Sequence, residues 1–208
     1  IPLAALARRR GRRKALTTGL AVALCGVGVV VGSVARSWFP LLLVGFLLIG
    51  AAQAANLQSR FAATDLASSA TRGRDLSVVV WATTLGAVLG PSLVGPGEVW
   101  GRLLGMPEFT GAYLFTVIGL VLGIVLYQVA LRPDPLLLAA KLSAHPTVQG
   151  EPARPDQPRR ARYAVAAIAT AHLVMVAVMA MTPLHLLHHG ATLTVVGLTI
   201  SLHIAGMF

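Results

Sequence analysis

Charge is scarce in this sequence, and acidic charge is the scarcest. Only 12% of the 208 residues are charged, about half of the roughly 25% found in an ordinary soluble domain. Seven residues are acidic, and 56% of the chain is hydrophobic. The mean hydropathy is +0.76. Because so few charges cannot cover the surface of a soluble domain, the composition predicts a membrane protein.

Cysteine chemistry and catalytic motifs are also missing. The single cysteine, Cys25, lies in an apolar stretch, which excludes a disulfide framework and a cysteine metal site within this chain. The sequence has no nucleophile–base pair, P-loop or dinucleotide fingerprint, so we expect no enzyme, no cofactor and no metal. One alternative is a metal site at His185, His188 and His189, but without a nearby carboxylate this spacing is more typical of a polar helix cap.

Long apolar blocks are what the sequence has in abundance. They cover residues 15–35, 40–59, 77–96, 111–131, 163–184 and 193–208. A helix of about 20 residues is ~30 Å long, which matches the hydrocarbon core of a bilayer. The first five blocks can each span, the last stops in mid-pattern, and residues 1–7 resemble the end of an earlier helix. We therefore expect an all-α polytopic helical bundle and a fragment open at both ends.

Positive charge is concentrated in alternate gaps between these blocks. All Lys and Arg residues except Arg36 and Arg102 lie within 8–14, 60–76 and 132–162. By the positive-inside rule these loops are cytoplasmic, which predicts a multi-pass protein of the cell membrane. The basic run at 8–14 lacks the polar fold and base-reading groups of a nucleic-acid site. We therefore expect the lipid bilayer as its surroundings and no nucleic-acid partner.

The longest gap predicts a boundary between two bundles. It begins with a short apolar stretch, DPLLLAAKL, that suggests an interfacial helix, and continues as a Pro-rich, charged stretch typical of a flexible linker. We expect residues 1–131 to form part of a first bundle, 132–162 a cytoplasmic linker, and 163–208 the start of a second bundle. Contact between the two parts should be limited. The shorter gaps at 37–40 and 95–109 should be outer connections.

Two motifs carry a family resemblance. ALARRRGRR, before the first complete block, and GAVLGPSLVG, inside the third, are followed by the long linker. Together they resemble the major facilitator superfamily of secondary transporters. The family's loop motif, Gly-x-Leu-Ala-Asp-Arg-x-Gly-Arg-Arg, is matched by Leu6, Ala7, Arg9, Gly11, Arg12 and Arg13. Ala4 and Arg8 stand where the motif has Gly and Asp. The family's antiporter motif, Gly-x-x-x-Gly-Pro-x-x-Gly-Gly, is matched by Gly86, Gly90, Pro91 and Gly95, with Val94 replacing one Gly.

The resemblance implies a twelve-helix protein of which this chain holds the end of helix two through part of helix eight. Such proteins move a small organic solute by alternating access around a central site. Proton-coupled drug or metabolite efflux is one version, solute uptake by the same fold is another, and a non-transporting sensor or assembly protein is the rival outside the class. The alternative is that neither motif takes part in transport. The first motif is then a basic turn that fixes the topology, and the second is a packing seam of small residues.

The resemblance also implies an inner gate. In the family, the basic loop docks against an acid at the cytosolic end of helix four, and here Asp65 stands at the matching depth. We expect Arg12 or Arg9 to approach Asp65, in a partly exposed pair that is loosened because Arg8 replaces the motif's Asp.

Polar residues inside the apolar blocks are the candidates for solute binding or ion coupling, because polar groups at this depth are costly unless they face a cavity or a partner. These candidates are Gln53, Asn56, Trp81, His172 and His203. All seven acids fall in loops or at span ends, so coupling to protons would rest on the two histidines. A neutral histidine bonded to a neighbouring helix is the alternative. We expect Gln53, Asn56 or His172 to face the bundle interior.

Overall fold

The computed structural model describes residues 2–68, 70–143 and 158–206, and every regular element within them is an α-helix. The helices are α1 (Pro2–Arg10), α2 (Arg12–Ala35), α3 (Phe39–Thr64), α4 (Arg72–Ser92), α5 (Val94–Leu103), α6 (Tyr113–Ala130), α7 (Pro135–Ser143), α8 (Pro158–His188) and α9 (Leu193–Ala205). Five segments are long and apolar enough to cross a membrane: α2, α3, α4, α8 and the stretch Tyr113–Leu142, which holds α6 and most of α7. The predicted all-α bundle is confirmed.

Helix α2 is the centre of the first part of the bundle, where it packs along α3 and against α6. Ala23 and Val27 of α2 form a buried cluster with Leu120 of α6. Glycines bring α2 and α3 close together: a Cβ added to Gly26 would lie 2.9 Å from the carbonyl oxygen of Gly45. Because small residues at a membrane helix contact let the backbones approach, α2 and α3 form a tightly packed pair.

The segment 95–109, predicted as an outer connection, begins with the helix α5. Helix α4 contains Pro91 and ends at Ser92, and α5 resumes one residue later. Proline removes one backbone donor and disturbs a helix locally without preventing a new turn beyond it. The non-helical part folds back on α5, where the carboxylate of Glu98 accepts the N–H groups of Phe109 at 3.0 Å and Gly111 at 3.3 Å.

One whole helix and the start of another lie within the segment predicted as a linker. Helix α7 forms where the short interfacial helix was predicted, and α8 begins at Pro158. Most of the Pro-rich stretch between them, residues 144–157, lies outside the described residues. The boundary between two bundles therefore stays a prediction.

Limited contact between the two parts was expected, and this expectation is wrong. Helix α9 packs extensively along α4 and also contacts α5, whereas α8 is exposed along almost its whole length. The close packing of α9 is permitted by Gly95 on one side, which faces the side chain of Thr194, and by Gly197 on the other, which faces the carbonyl of Pro91.

Candidate functional site

One end of the bundle, which we call the basic end, brings together the basic run 8–14, the end of α3 and the turn before α7. Here the guanidinium of Arg12 binds the carboxylate of Asp65 through two parallel contacts, Nε to Oδ2 at 2.8 Å and Nη2 to Oδ1 at 3.2 Å. The two side chains are 13% and 12% exposed. The predicted contact is present, and both residues are partly exposed, as expected. The looseness expected from Arg8 stays a prediction. Bidentate pairs of this kind are strong and directional.

Two further residues of α3 hold the same guanidinium and explain its burial. Nη1 of Arg12 donates to Oε1 of Gln58 at 2.6 Å, and the guanidinium carbon lies 5.7 Å from the ring centroid of Phe61. Positions 58, 61 and 65 follow helical spacing, so they form one stripe facing α2. The guanidinium therefore has hydrogen-bond partners along its edges and an aromatic ring over its face, and the contact with the ring is a cation–π interaction. Sequence reasoning missed Gln58 and Phe61.

The other residues of the basic motif do not join this pair. Arg9 is exposed, and the only other ion pair among the described residues joins Arg74 and Asp75 at 3.8 Å. Arg13 contributes its backbone N–H, which donates to Asp134 at 2.8 Å. Gly11 adopts φ 90° in the turn between α1 and α2, a conformation that favours glycine.

Asp134 was also missed as a site residue, although a signal for it was present. An aspartate followed by Pro135 and an apolar run is the usual start of a helix, with the acid as its N-cap.

Helix α9 meets α4 and the start of α5 along a seam between α4 and α9, defined by Pro91 and Ser92 of α4 and Gly95 of α5 on one side and Thr194, Gly197 and Ser201 of α9 on the other. The hydroxyls of Ser92 and Ser201 lie 2.8 Å apart. A Cβ on Gly197 would overlap the carbonyl oxygen of Pro91. The residues of α9 carried no recognised motif, so sequence reasoning missed them.

Two glycines of the antiporter-like motif do not take part in the seam. A packing seam was the alternative role of this motif, but nothing in the described part of the chain lies within 4 Å of a Cβ at Gly86 or Gly90. Both glycines lie on another side of α4, turned away from α9. The close approach occurs at Gly95, where a Cβ would lie 2.6 Å from Oγ1 of Thr194, and at the carbonyl of Pro91.

One cavity, which we call the inner cavity, lies toward the basic end among α2, α3, α4 and α6. Its volume is about 490 Å³. Its polar lining consists of Asn56, Ser59, Thr83 and Tyr127, and none of the described residues that line it is charged. Thr83 donates from Oγ1 to Oδ1 of Asn56 at 3.4 Å. Asn56 is therefore the predicted polar residue that faces into the bundle.

A second cavity, the seam cavity, lies on the opposite side of α4, beside the end of α9. It has a volume of about 530 Å³ and is lined by Leu76, Ser77, Val80, Trp81, Thr84, Val88 and Ala205. Trp81 is 65% exposed. An indole ring next to hydroxyl groups suits a planar organic molecule, because the ring offers an apolar face and the hydroxyls offer hydrogen bonds.

The remaining predicted residues stay apart from both cavities. Gln53, His172 and His203 are exposed and line neither cavity. At the far end of α8, the rings of His185 and His189 have centroids 4.3 Å apart, and Nδ1 of His189 lies 2.9 Å from a carbonyl of its own helix. Within the described ranges, no three His, Cys, Asp or Glu side chains come together as metal ligands.

Comparison with known proteins gives a consistent result. The family model described as Major Facilitator Superfamily matches residues 1–208. Two relatives in Bacillus subtilis, the uncharacterized MFS-type transporters YdeG and YddS, are each 36% identical over 98% and 99% of the chain. A riboflavin transporter of Brucella anthropi, RfnT, is 32% identical over 100% of it. The chain spans about half the length of these relatives, 49% of the first two and 51% of the third. No solved structure matches it significantly.

Proposed function

The chain belongs to the major facilitator superfamily, and from this premise we propose that the full-length protein carries a small organic solute across the membrane by alternating access. Members of this family are multi-pass membrane transporters and not enzymes. Because the chain covers about half of its relatives' length, the transport activity of the whole protein is a proposal, whereas membership of the family is shown.

The observation that carries this proposal is the seam between α4 and α9. We place α9 in the second bundle, so that the seam lies between the two halves of the transporter. At this seam one backbone lies directly against another, and one hydroxyl pair joins the sides. Contacts of this kind let two rigid bundles rock against each other, because few interlocking side chains must be pulled out.

Alternating access also needs contacts that close one side of the transporter, and the Arg12–Asp65 pair supplies such a contact. We assign the basic end to the cytoplasmic side of the plasma membrane, on the positive-inside rule. With Gln58 and Phe61 around it, the pair closes the basic end between α2 and α3. We propose that this pair is made when the inner gate is closed and weakens when the gate opens.

The lining of the two cavities favours a neutral organic solute with an aromatic ring system. The described part of each cavity offers hydroxyl groups without a charged residue, and the inner cavity adds the amide of Asn56. The exposed ring of Trp81 is a platform on which such a solute stacks. One relative is named a riboflavin transporter, which makes riboflavin the first solute to test. Proton coupling, if present in this half, depends on His172 or His203.

Reconstitution of the full-length protein tests the proposal. Uptake of radiolabelled riboflavin and a panel of other neutral aromatic solutes is measured in proteoliposomes, with and without an imposed pH gradient. We expect flux above that of protein-free vesicles for at least one of them, and the direction that the gradient accelerates distinguishes uptake from efflux. Binding without flux across the whole panel contradicts transport and favours the sensor alternative.

A further inference from the structure

Asp134, in the turn between α6 and α7, binds the beginnings of two helices at once. Its Oδ1 accepts the backbone N–H of Arg12 at 3.1 Å, and its Oδ2 accepts that of Arg13 at 2.8 Å. Oδ1 also accepts the N–H groups of Leu136 and Leu137 at 3.2 and 3.3 Å. One carboxylate therefore serves N–H groups of both α2 and α7, which have no partner inside their own helices.

Gly11 makes room for this carboxylate. Gly11 is buried, and a Cβ at this position would lie 2.6 Å from Cγ of Asp134 and would overlap its Oδ2. Any side chain at position 11 would therefore displace the carboxylate. The absence of a side chain at Gly11 is needed for this contact as well as for the turn.

The charges around α2 favour an acid at this place. Residues 8–14 are almost all cationic, and they surround the start of a helix, where the helix dipole adds further positive charge. The first turn of α2 contains no acidic residue, and Arg8 occupies the position where the family motif has Asp. Asp134 supplies from a distant part of the chain the negative charge that this helix start lacks.

We propose that Asp134 is a positioning residue of the inner gate. By fixing the backbone of Arg12, it fixes the point from which the guanidinium reaches Asp65 and Gln58. The inference rests on the proposed function, because it assigns Asp134 a part in that gate. Asp134 leads directly into α7. A movement of α7 removes the cap from α2 and loosens Arg12, so the gate responds to the position of α7.

Chemical labelling tests this role without any solute. The full-length protein carries Ala63→Cys, which lines the inner cavity, with Cys25 and its other cysteines replaced by Ser. Inside-out vesicles are treated with a membrane-impermeant maleimide. We expect Asp134→Asn to raise the labelling rate about three- to tenfold, since hydrogen bonds to a charged acceptor are among the stronger ones. In an Arg12→Gln background, the same substitution should add less than about twofold, because the side chain that it positions has gone.

Glu98→Gln is the matched control. Glu98 is also a carboxylate that accepts two backbone N–H groups, but away from the basic end, so its loss should leave labelling at the wild-type rate. The proposal is wrong if Asp134→Asn labels like wild type, or if it raises labelling equally in both backgrounds, as a simple helix cap would. Should Asp134→Asn fail to insert, Asp134→Ser keeps an N-cap for α7 but takes the carboxylate away from Arg12 and Arg13, and the same comparison applies. Absence of flux would contradict the proposed function while leaving this result intact.

Discussion

Reversing the charge of Asp65 is expected to disable the inner gate. Asp65→Arg places a second cation beside Arg12, which already lies 2.8 Å from the present carboxylate and is 13% exposed. The substitution also leaves the guanidinium of Arg12 without its bidentate partner, while its hydrogen bond to Gln58, 2.6 Å in length, remains. The closed state of the inner gate should therefore lose stability relative to the open one.

The size of the effect follows from the burial of the pair. An exposed ion pair contributes about 1 kcal/mol or less, whereas removing one partner of a fully buried pair costs about 3–5 kcal/mol. With side chains 13% and 12% exposed and one hydrogen bond to Gln58 remaining, we expect about 2 kcal/mol. This value corresponds to roughly a 30-fold shift between two gate states. A carrier must visit both states, so the transport cycle should slow by up to that factor.

The assay is the initial rate of solute entry into proteoliposomes for Asp65→Arg, Arg12→Asp and the double variant. Each single variant should be slow, and the double variant should recover a substantial part of the rate because the pair is restored in reverse. The exposed pair Arg74–Asp75, at 3.8 Å, is the matched control, and its reversal should change the rate less than about twofold. If the double variant recovers nothing, or if Asp65→Arg transports at the normal rate, the assignment of the gate is wrong.

Three further predictions concern the seam, the solute and the coupling ion. Gly197→Leu should abolish transport while leaving insertion intact, because its side chain would strike the carbonyl of Pro91; normal flux would show that the seam does not need close contact. Trp81→Ala should raise the KM for an aromatic solute about tenfold through lost stacking, whereas Trp100→Ala, at a tryptophan that lines neither cavity, should leave the KM unchanged. His172→Ala should abolish any dependence of transport on an imposed pH gradient if His172 carries the proton, and a retained dependence would exclude it.

The helices and the charged pair were predictable from the sequence because their determinants are local. Runs of about 20 apolar residues can satisfy their backbone in lipid only as helices, which explains why α2, α3, α6 and α8 occur where the apolar blocks predict. Arg12 and Asp65 were found because one lies in a recognisable motif and the other lies in the loop after the second apolar block.

The seam and the role of Asp134 depend on which distant segments meet, and no local pattern carries that information. Gly197 looks like any glycine of an apolar helix until α9 lies against Pro91. Asp134 looks like the N-cap of α7 alone, and only the folded chain brings it to Arg12, which is 122 residues away along the chain. The helical continuation in α5 was missed because Pro91 and the glycines around it indicate a helix end, while packing against Gly111 favours another helical stretch.

Alternating access itself is tested most directly by counterflow. Proteoliposomes of the full-length protein are loaded with an excess of the unlabelled solute that the uptake screen identifies, beginning with riboflavin, and are then diluted into the labelled solute. A carrier that exposes one site to each side in turn predicts that entry of label is several-fold faster into loaded vesicles than into empty ones, with a transient overshoot. Equal entry into loaded and empty vesicles would contradict the account, because a channel or a binding protein without gate exchange shows no such acceleration.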